Sequence, residues 1–114
     1  MSKIPENNGF KFSEIKNVNE TIHSPARLAI LTFLLNKDSV TFSRIDQVLE
    51  LSRGNLSTHL RKLSENDLIK IEKKFIDFKP TTLISITTIG RQLIKEYAIF
   101  MSTILKDILE KSSK

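Results

Sequence analysis

The sequence predicts a mainly α-helical fold with one small β-hairpin, and three observations carry that prediction. Only three Gly and three Pro occur among 114 residues, too few for a fold built from tight turns. Apolar residues recur every three to four positions through most of the chain, the period of a helix face. One stretch, Leu68 to Ile86, changes to a period of two, which marks strands. At 13.1 kDa the chain makes one domain with a modest core.

Residues 1 to 11 hold Pro5, Asn7, Asn8 and Gly9 and read as a loose arm. Phe12, Ile15, Val18 and Ile22 then define a short amphipathic helix with Ser13 as its N-cap. His23-Ser24-Pro25 interrupts it: Ser24 caps the next helix, and Pro25 suits a first position where no N–H is needed. That helix, ARLAILTFLL, carries Leu28, Ile30, Leu31, Phe33, Leu34 and Leu35 nearly all round and reads as the central core helix. After the turn NKDS comes an extended Val40-Thr41-Phe42, and Ser43 caps a helix with Ile45, Val48 and Leu49 as its inner face. Leu51-Ser52 is a tight connection, and Ser52 caps a helix over about residues 52–66. Asn66-Asp67 stops this helix, because Asn tolerates the left-handed conformation that a helix stop often needs.

In LIKIEKKF, Ile69, Ile71 and Phe75 alternate against Lys70, Glu72 and Lys74; in TTLISI, Thr82, Ile84 and Ile86 repeat the pattern. With IDFKP as its loop, this is a hairpin, or wing, over about residues 68–86. Thr87 caps a last helix that reaches about Lys111. The organisation is an arm (1–11), a winged helix-turn-helix core (12–86) and a long C-terminal helix (87–114).

The helix at 52–66 has two unlike faces. Leu56, Leu60 and Leu63 stack on one side at i, i+4 and i+7, while Gly54, Ser57, Thr58 and Arg61 point the opposite way, with Asn55 and Lys62 beside them. An ordinary solvated helix mixes Glu with Lys, but here no acid occurs before Glu65. Neutral hydrogen-bonding groups and cations suit a polyanion with readable polar edges. Arg can bond two acceptors of guanine, Asn can pair with adenine, and Ser or Thr can serve either. Arg53, Asn55, Ser57, Thr58 and Arg61 are expected to face the major groove of double-stranded DNA, and Lys62 a phosphate. Gly54 lets the helix N-terminus approach closely, where its dipole favours phosphate.

Some assignments stay open between two roles. His59 lies about 60° from the leucine stripe, so it is either a packing residue or a DNA contact. Arg53 either contacts DNA or braces the fold. Lys73, Lys74 and Lys79 of the wing either straddle the minor groove or guard an edge hairpin from pairing.

The last helix spans about 24 residues, or about 36 Å, more than the core can cover. Leu93, Tyr97, Phe100, Ile104 and Ile108 form one stripe, and Ile94, Met101, Leu105 and Leu109 an adjacent one. The band is wider than one packing face. Its surplus points to a homodimer, with Tyr97, Phe100, Met101, Ile104, Leu105 and Ile108 joined by Ile15 and Val18 at the interface. Packing within one chain is the other reading.

Three pieces also resemble winged-helix transcriptional regulators of the MarR/ArsR type, especially small archaeal and bacterial members. HSPARLAILTFLL resembles their opening core helix, LSRGNLSTHLRKLSENDLI their recognition helix, and ISITTIGRQLI the end of the wing; together they cover roughly residues 22 to 95. The Ser57-x-His59-Leu60-x-x-Leu63 pattern is the most specific. The resemblance implies DNA binding and dimerisation. Many relatives have Gly where Asp67 stands, and metal-sensing relatives carry cysteine pairs or carboxylate–histidine ligands that this chain lacks.

The totals agree. A formal charge of +5 and a pI of about 9.6 favour anionic partners. Without cysteine there is no disulfide or thiolate metal site, and His23 and His59 are the only histidines, so no metal and no cofactor is expected. A signal peptide and a membrane span are not expected either, which points to the cytoplasm. Nothing resembles a phosphate loop or a nucleophile–base pair, so an enzyme is not expected. The rival is a winged-helix protein adaptor or RNA-binding module. No effector ligand is identified.

Overall fold

The computed structural model describes residues 19–112. Four helices and three strands follow in the order α1 (Pro25–Leu34), β1 (Val40–Thr41), α2 (Phe42–Leu49), α3 (Arg53–Glu65), β2 (Ile69–Ile76), β3 (Lys79–Ile86) and α4 (Thr88–Ser112). This is the winged helix-turn-helix that the periodicities predict. The expected N-terminal helix, with Ser13, Phe12, Ile15 and Val18, lies outside the described residues; its last apolar position, Ile22, is fully buried.

Local chemistry starts each helix. Ser24 is extended, its hydroxyl accepts from the Arg27 N–H at 3.3 Å, and Pro25 takes the first turn of α1. Ile30, Leu31 and Leu34 bury the inner side of α1, and Leu28, Phe33 and Leu35 pack around them. The cap of α2 is Thr41 rather than Ser43: its hydroxyl accepts from the Arg44 N–H at 3.0 Å. Pairing explains the change. Val40 and Thr41 join β3 opposite Ile84 and Leu83, which holds Thr41 in the extended conformation that a cap needs, and Phe42 starts the helix instead of continuing the strand. Ile45 is the buried residue of α2, whereas Val48, expected on the inner face, is 39% exposed.

At the end of α3, Asp67 takes the left-handed conformation, φ 61°, while Asn66 stays at φ −99° and its side-chain amide donates to the Lys62 carbonyl. The stop therefore rests one residue later than Asn66, on Asp67.

The sheet is antiparallel, in the order β1-β3-β2. Eight register pairs join β2 to β3, from Ile69↔Ile86 out to Ile76↔Lys79. IDFKP is thus a two-residue turn, Asp77-Phe78, with both φ positive at 51° and 64°, the geometry that follows strand twist. Pro80 is part of β3. It pairs with Phe75 one position beyond the turn, where no ladder bond to β2 is made, and β1 is too short to reach its other side.

Among the described residues, fourteen buried hydrophobic residues form one core, with contributions from every element. The base of the wing is laced to the helices. The Leu68 N–H donates to Leu63 O and the Thr87 N–H to Leu68 O, both at 3.0 Å, while the Thr87 hydroxyl donates to Asp67 O at 2.7 Å. The Gly90 N–H donates to that same hydroxyl at 2.9 Å, so Thr87 caps α4. Among the described residues, no helix is long and apolar enough to cross a membrane.

Candidate nucleic-acid interface

Burial of Leu56, Leu60 and Leu63 fixes how α3 is rolled on the core: the first and last are fully buried and Leu60 nearly so. The opposite face follows from that roll. Gly54, Asn55, Ser57, Thr58, Arg61 and Lys62 are all exposed. Ser52 caps the helix by accepting from the Asn55 N–H at 3.2 Å. The Thr58 hydroxyl donates to Gly54 O at 2.9 Å, which leaves its oxygen free to accept. A Cβ built on Gly54 meets nothing within 4 Å. No intramolecular crowding explains a glycine here, although glycine in a helix costs up to about 1 kcal/mol relative to Ala.

Arg53 makes the bracing contacts that the sequence left open and keeps its head accessible. Its guanidinium lies 4.0 Å from the Asp46 carboxylate and 5.4 Å from the Phe42 ring centroid, yet the side chain remains mostly exposed. A solvent-exposed pair of this kind contributes little stability, so the contacts orient the head more than they retain it.

His59 is half-buried, with Nδ1 3.1 Å from Arg27 Nη1. A guanidinium has only donors, so Nδ1 accepts and the ring proton sits on Nε2. Arg27 is anchored in turn, donating from Nε to Thr21 O at 2.6 Å and from Nη2 to Glu20 O at 3.3 Å. Burial first, and the Arg27 charge second, hold the His59 pKa below its ordinary value. The residue therefore packs α3 onto the α1 entrance while leaving one N–H to donate.

Two clefts join α3 to the wing. The first, about 350 Å³, runs between Ser57, Leu60 and Arg61 on one side and Ile71, Lys73 and Thr82 on the other. Lys73 pairs with Thr82 and shares the core-facing side of the hairpin with Ile71 and Ile84. Lys74, one residue on, stands on the other side. The second cleft, about 420 Å³, follows the edge of β3 past Lys79, Pro80 and Thr81 to Ser43 and Arg53. The three wing lysines are exposed and two of them reach back toward α3.

Residues the sequence reading missed extend this surface. Ser43, Arg44 and Gln47, at the start of α2, surround a depression shared with Arg53, and Arg44 Nη1 donates to Gln47 Oε1 at 3.0 Å. The signal was available: Thr41-Phe42-Ser43-Arg44 has no acid before Asp46. The tip of the wing was also misjudged. Phe75, expected to point inward with Ile69 and Ile71, is 79% exposed because the hairpin extends past the core, and Phe78 is fully exposed at 101%.

The expected dimer residues divide along α4. Tyr97 is half-buried, with Oη 2.6 Å from His23 Nδ1, and burial raises its pKa. Phe100, Met101 and Ile104 are half-buried, whereas Leu105 and Ile108 are exposed together with Ile99 and Leu109. The molecule measures 62 × 26 × 24 Å, which reflects a helix of 25 residues projecting beyond the body.

Comparison with known proteins agrees with this geometry. Residues 26–105 match the family described as winged helix DNA-binding domain. An uncharacterized protein of Methanocaldococcus jannaschii is 33% identical over 86 residues, 75% of this chain and 94% of its own length. The transcriptional regulator TcaR of Staphylococcus aureus is 30% identical over 76 residues, which are 66% of this chain and 50% of TcaR. The structure of a transcriptional regulator homologue from Pyrococcus horikoshii superposes with a TM-score of 0.70 at 34% identity, covering 90% of this chain and all of that one. A MarR-family regulator of Enterococcus faecalis superposes at 0.73 with 16% identity, over 90% of this chain and 92% of its own, a likeness of fold. By its sequence match over most of its length and by its fold, the chain belongs to the winged-helix DNA-binding domain family, a family of transcriptional regulators rather than of enzymes.

Proposed function

We propose that the chain acts as a homodimer on a pseudo-palindromic duplex site. In this reading α3 lies in the major groove, and the wing lies over the adjacent minor groove and its phosphates. The observation that carries it is the exposed face of α3: from Arg53 to Ser64 it holds no acid and no exposed large hydrophobe, only neutral hydrogen-bonding groups and cations around a glycine. Asn55, Ser57, Thr58 and Arg61 read base edges, and Gly54 permits close approach. Arg53, Lys62, Lys73, Lys74 and Lys79 meet phosphates, which fix register without reading sequence. His59 offers its Nε2–H to a phosphate from the rear of the helix.

The dimer follows from α4. Exposed Ile99, Leu105, Ile108 and Leu109 on a projecting helix form an apolar surface that a second copy can cover by two-fold symmetry. That symmetry sets two recognition helices about 34 Å apart, one DNA turn. Light scattering at micromolar concentration is expected to give twice 13.1 kDa; a monomer mass refutes the dimer.

Fluorescence anisotropy on a duplex of about 30 base pairs, titrated with salt, tests the interface. Affinity should fall steeply and linearly on log–log axes as phosphate contacts displace counterions. Arg61→Ala should weaken binding by roughly 1–3 kcal/mol per half-site. Equal binding by wild type and variant refutes the recognition-helix assignment. No binding at low salt makes a protein adaptor the better reading.

A further inference from the structure

The wing ends in an unusual way for a solvent-facing hairpin. Asp77 and Phe78 form its turn, both at positive φ, a conformation that Gly, Asn and Asp adopt with least strain. Asp77 fits that preference; Phe78 opposes it. Its ring is also fully exposed, and Phe75 and Ile76 beside it are 79% and 42% exposed. An aromatic ring in water on a strained backbone is doubly unfavourable in the isolated chain, so its advantage lies in something it meets.

We propose that the wing tip is an aromatic wedge, with Phe78 inserting between base-pair steps of the minor groove and kinking the duplex. The inference rests on the reading of the chain as a DNA-binding dimer. Three features select this occupant. Residues 73–80, KKFIDFKP, carry three lysines against one aspartate, a cationic collar matching phosphates on both walls of the groove. The tip also continues the interface: Lys73 faces Arg61 and Ser57 across one cleft, and Lys79 lines another with Arg53.

Dimensions supply the third feature. Paired strands lie about 4.8 Å apart while the minor groove is about 6 Å wide. A hairpin with side chains on both faces cannot enter it, but one ring at the apex can. Apolar side chains placed this way unstack a base step and bend DNA toward the major groove. Every base presents a π-face, so the contact anchors the wing without reading sequence.

The chain contains no tryptophan, so Phe78→Trp places a single reporter at the tip. The full-length protein is titrated with a mixed-sequence 36-base-pair duplex carrying dyes at both ends, which report binding by anisotropy and bending by energy transfer. Expected results are emission of the tryptophan variant quenched about twofold or more on stacking, and Phe78→Ala bound about tenfold more weakly with the bend lost. Phe78 touches no core residue, so that variant folds. Unchanged tryptophan emission on DNA that anisotropy reports as bound overturns the wedge and leaves the DNA reading intact, as does wild-type bending by Phe78→Ala. No binding by wild type at low salt overturns both. A blue shift with phosphatidylglycerol vesicles, or on concentrating the protein without DNA, gives the tip to lipid or to a second copy and overturns the wedge.

Discussion

Replacing Gly90 with Ala should destabilise the protein by about 2 kcal/mol, although the change favours a helix. Gly90 is buried in the first turn of α4. A Cβ there would sit 2.2 Å from the Leu68 carbonyl oxygen and 3.0 Å from Ile86 Cγ1. The obstacle is main chain, and it is held on both sides: Leu68 N–H bonds to Leu63 O at the end of α3, and Leu68 O receives the Thr87 N–H. The methyl fits only if α4 lifts off the wing base by about 1 Å or more, which stretches the Thr87 bonds. Overpacking of this kind costs about 1–3 kcal/mol, and a main-chain obstacle belongs at the upper end. Ala regains up to about 1 kcal/mol of helix propensity. The balance is about 2 kcal/mol.

For a chain of this length the unfolding entropy is on the order of 0.24 kcal/mol per degree, from about 2.1 cal/mol/K per residue, so Tm should fall by about 8 °C. The assay is thermal melting by far-ultraviolet circular dichroism, with protein concentration fixed because self-association of the kind proposed couples to stability. A Tm that is unchanged or raised refutes the reasoning. It would mean that α4 is free to shift, and that the lacing of Asp67, Leu68 and Thr87 does not fix the angle between wing and recognition helix.

Three further outcomes follow from named residues. His59 has a pKa below the ordinary 6.5 because of burial and then Arg27. The unfolded chain therefore takes up this proton first as pH drops, and the stability the residue contributes is present above 6.5 and lost as pH falls through and below it. His59→Asn, which keeps an acceptor near Arg27, should melt below wild type at pH 8 with a gap that narrows at pH 5.5; a constant gap rules out this titration. Asp67→Gly should raise stability by up to about 1 kcal/mol, since φ 61° strains a residue with a Cβ, and denaturant unfolding with a lower midpoint contradicts that. Leu105→Glu combined with Ile108→Glu should convert a dimer to a folded monomer on light scattering, and a mass equal to wild type would place the interface elsewhere.

What could be read from the sequence was what depends on burial and local capping. Leu56, Leu60 and Leu63 had to face inward together, so the polar face of α3 was known without coordinates, and Ser24, Ser52 and Thr87 cap as their neighbours imply. The errors arose where a partner far along the chain decides between local equals. Thr41 and Ser43 are both good caps, and only pairing with Leu83 selects Thr41. Asn66 and Asp67 both tolerate the left-handed region, and the bonds from Leu68 to Leu63 and from Thr87 to Asp67 O select Asp67.

The wing exposes a deeper limit. Period-two alternation records which side of a strand a residue occupies, and it carries no information about how far the core extends beneath that side. Ile71 and Phe75 lie on the same face, but Ile71 is over the core and Phe75 is beyond its edge. The chain's contribution is the length of the hairpin, eight residues per strand, which outruns a core set by α1 and α3. Past that edge the alternation no longer describes folding at all. Lys73 keeps the inward phase but lines the cleft beside α3 with Arg61, and Phe75, in the same phase, is open to solvent, so burial in the core does not account for either. The same reasoning applies to the exposed apolar positions of α4, where the pattern continues past the protomer's own core; the proposed dimer accounts for that surplus, and folding of one chain does not.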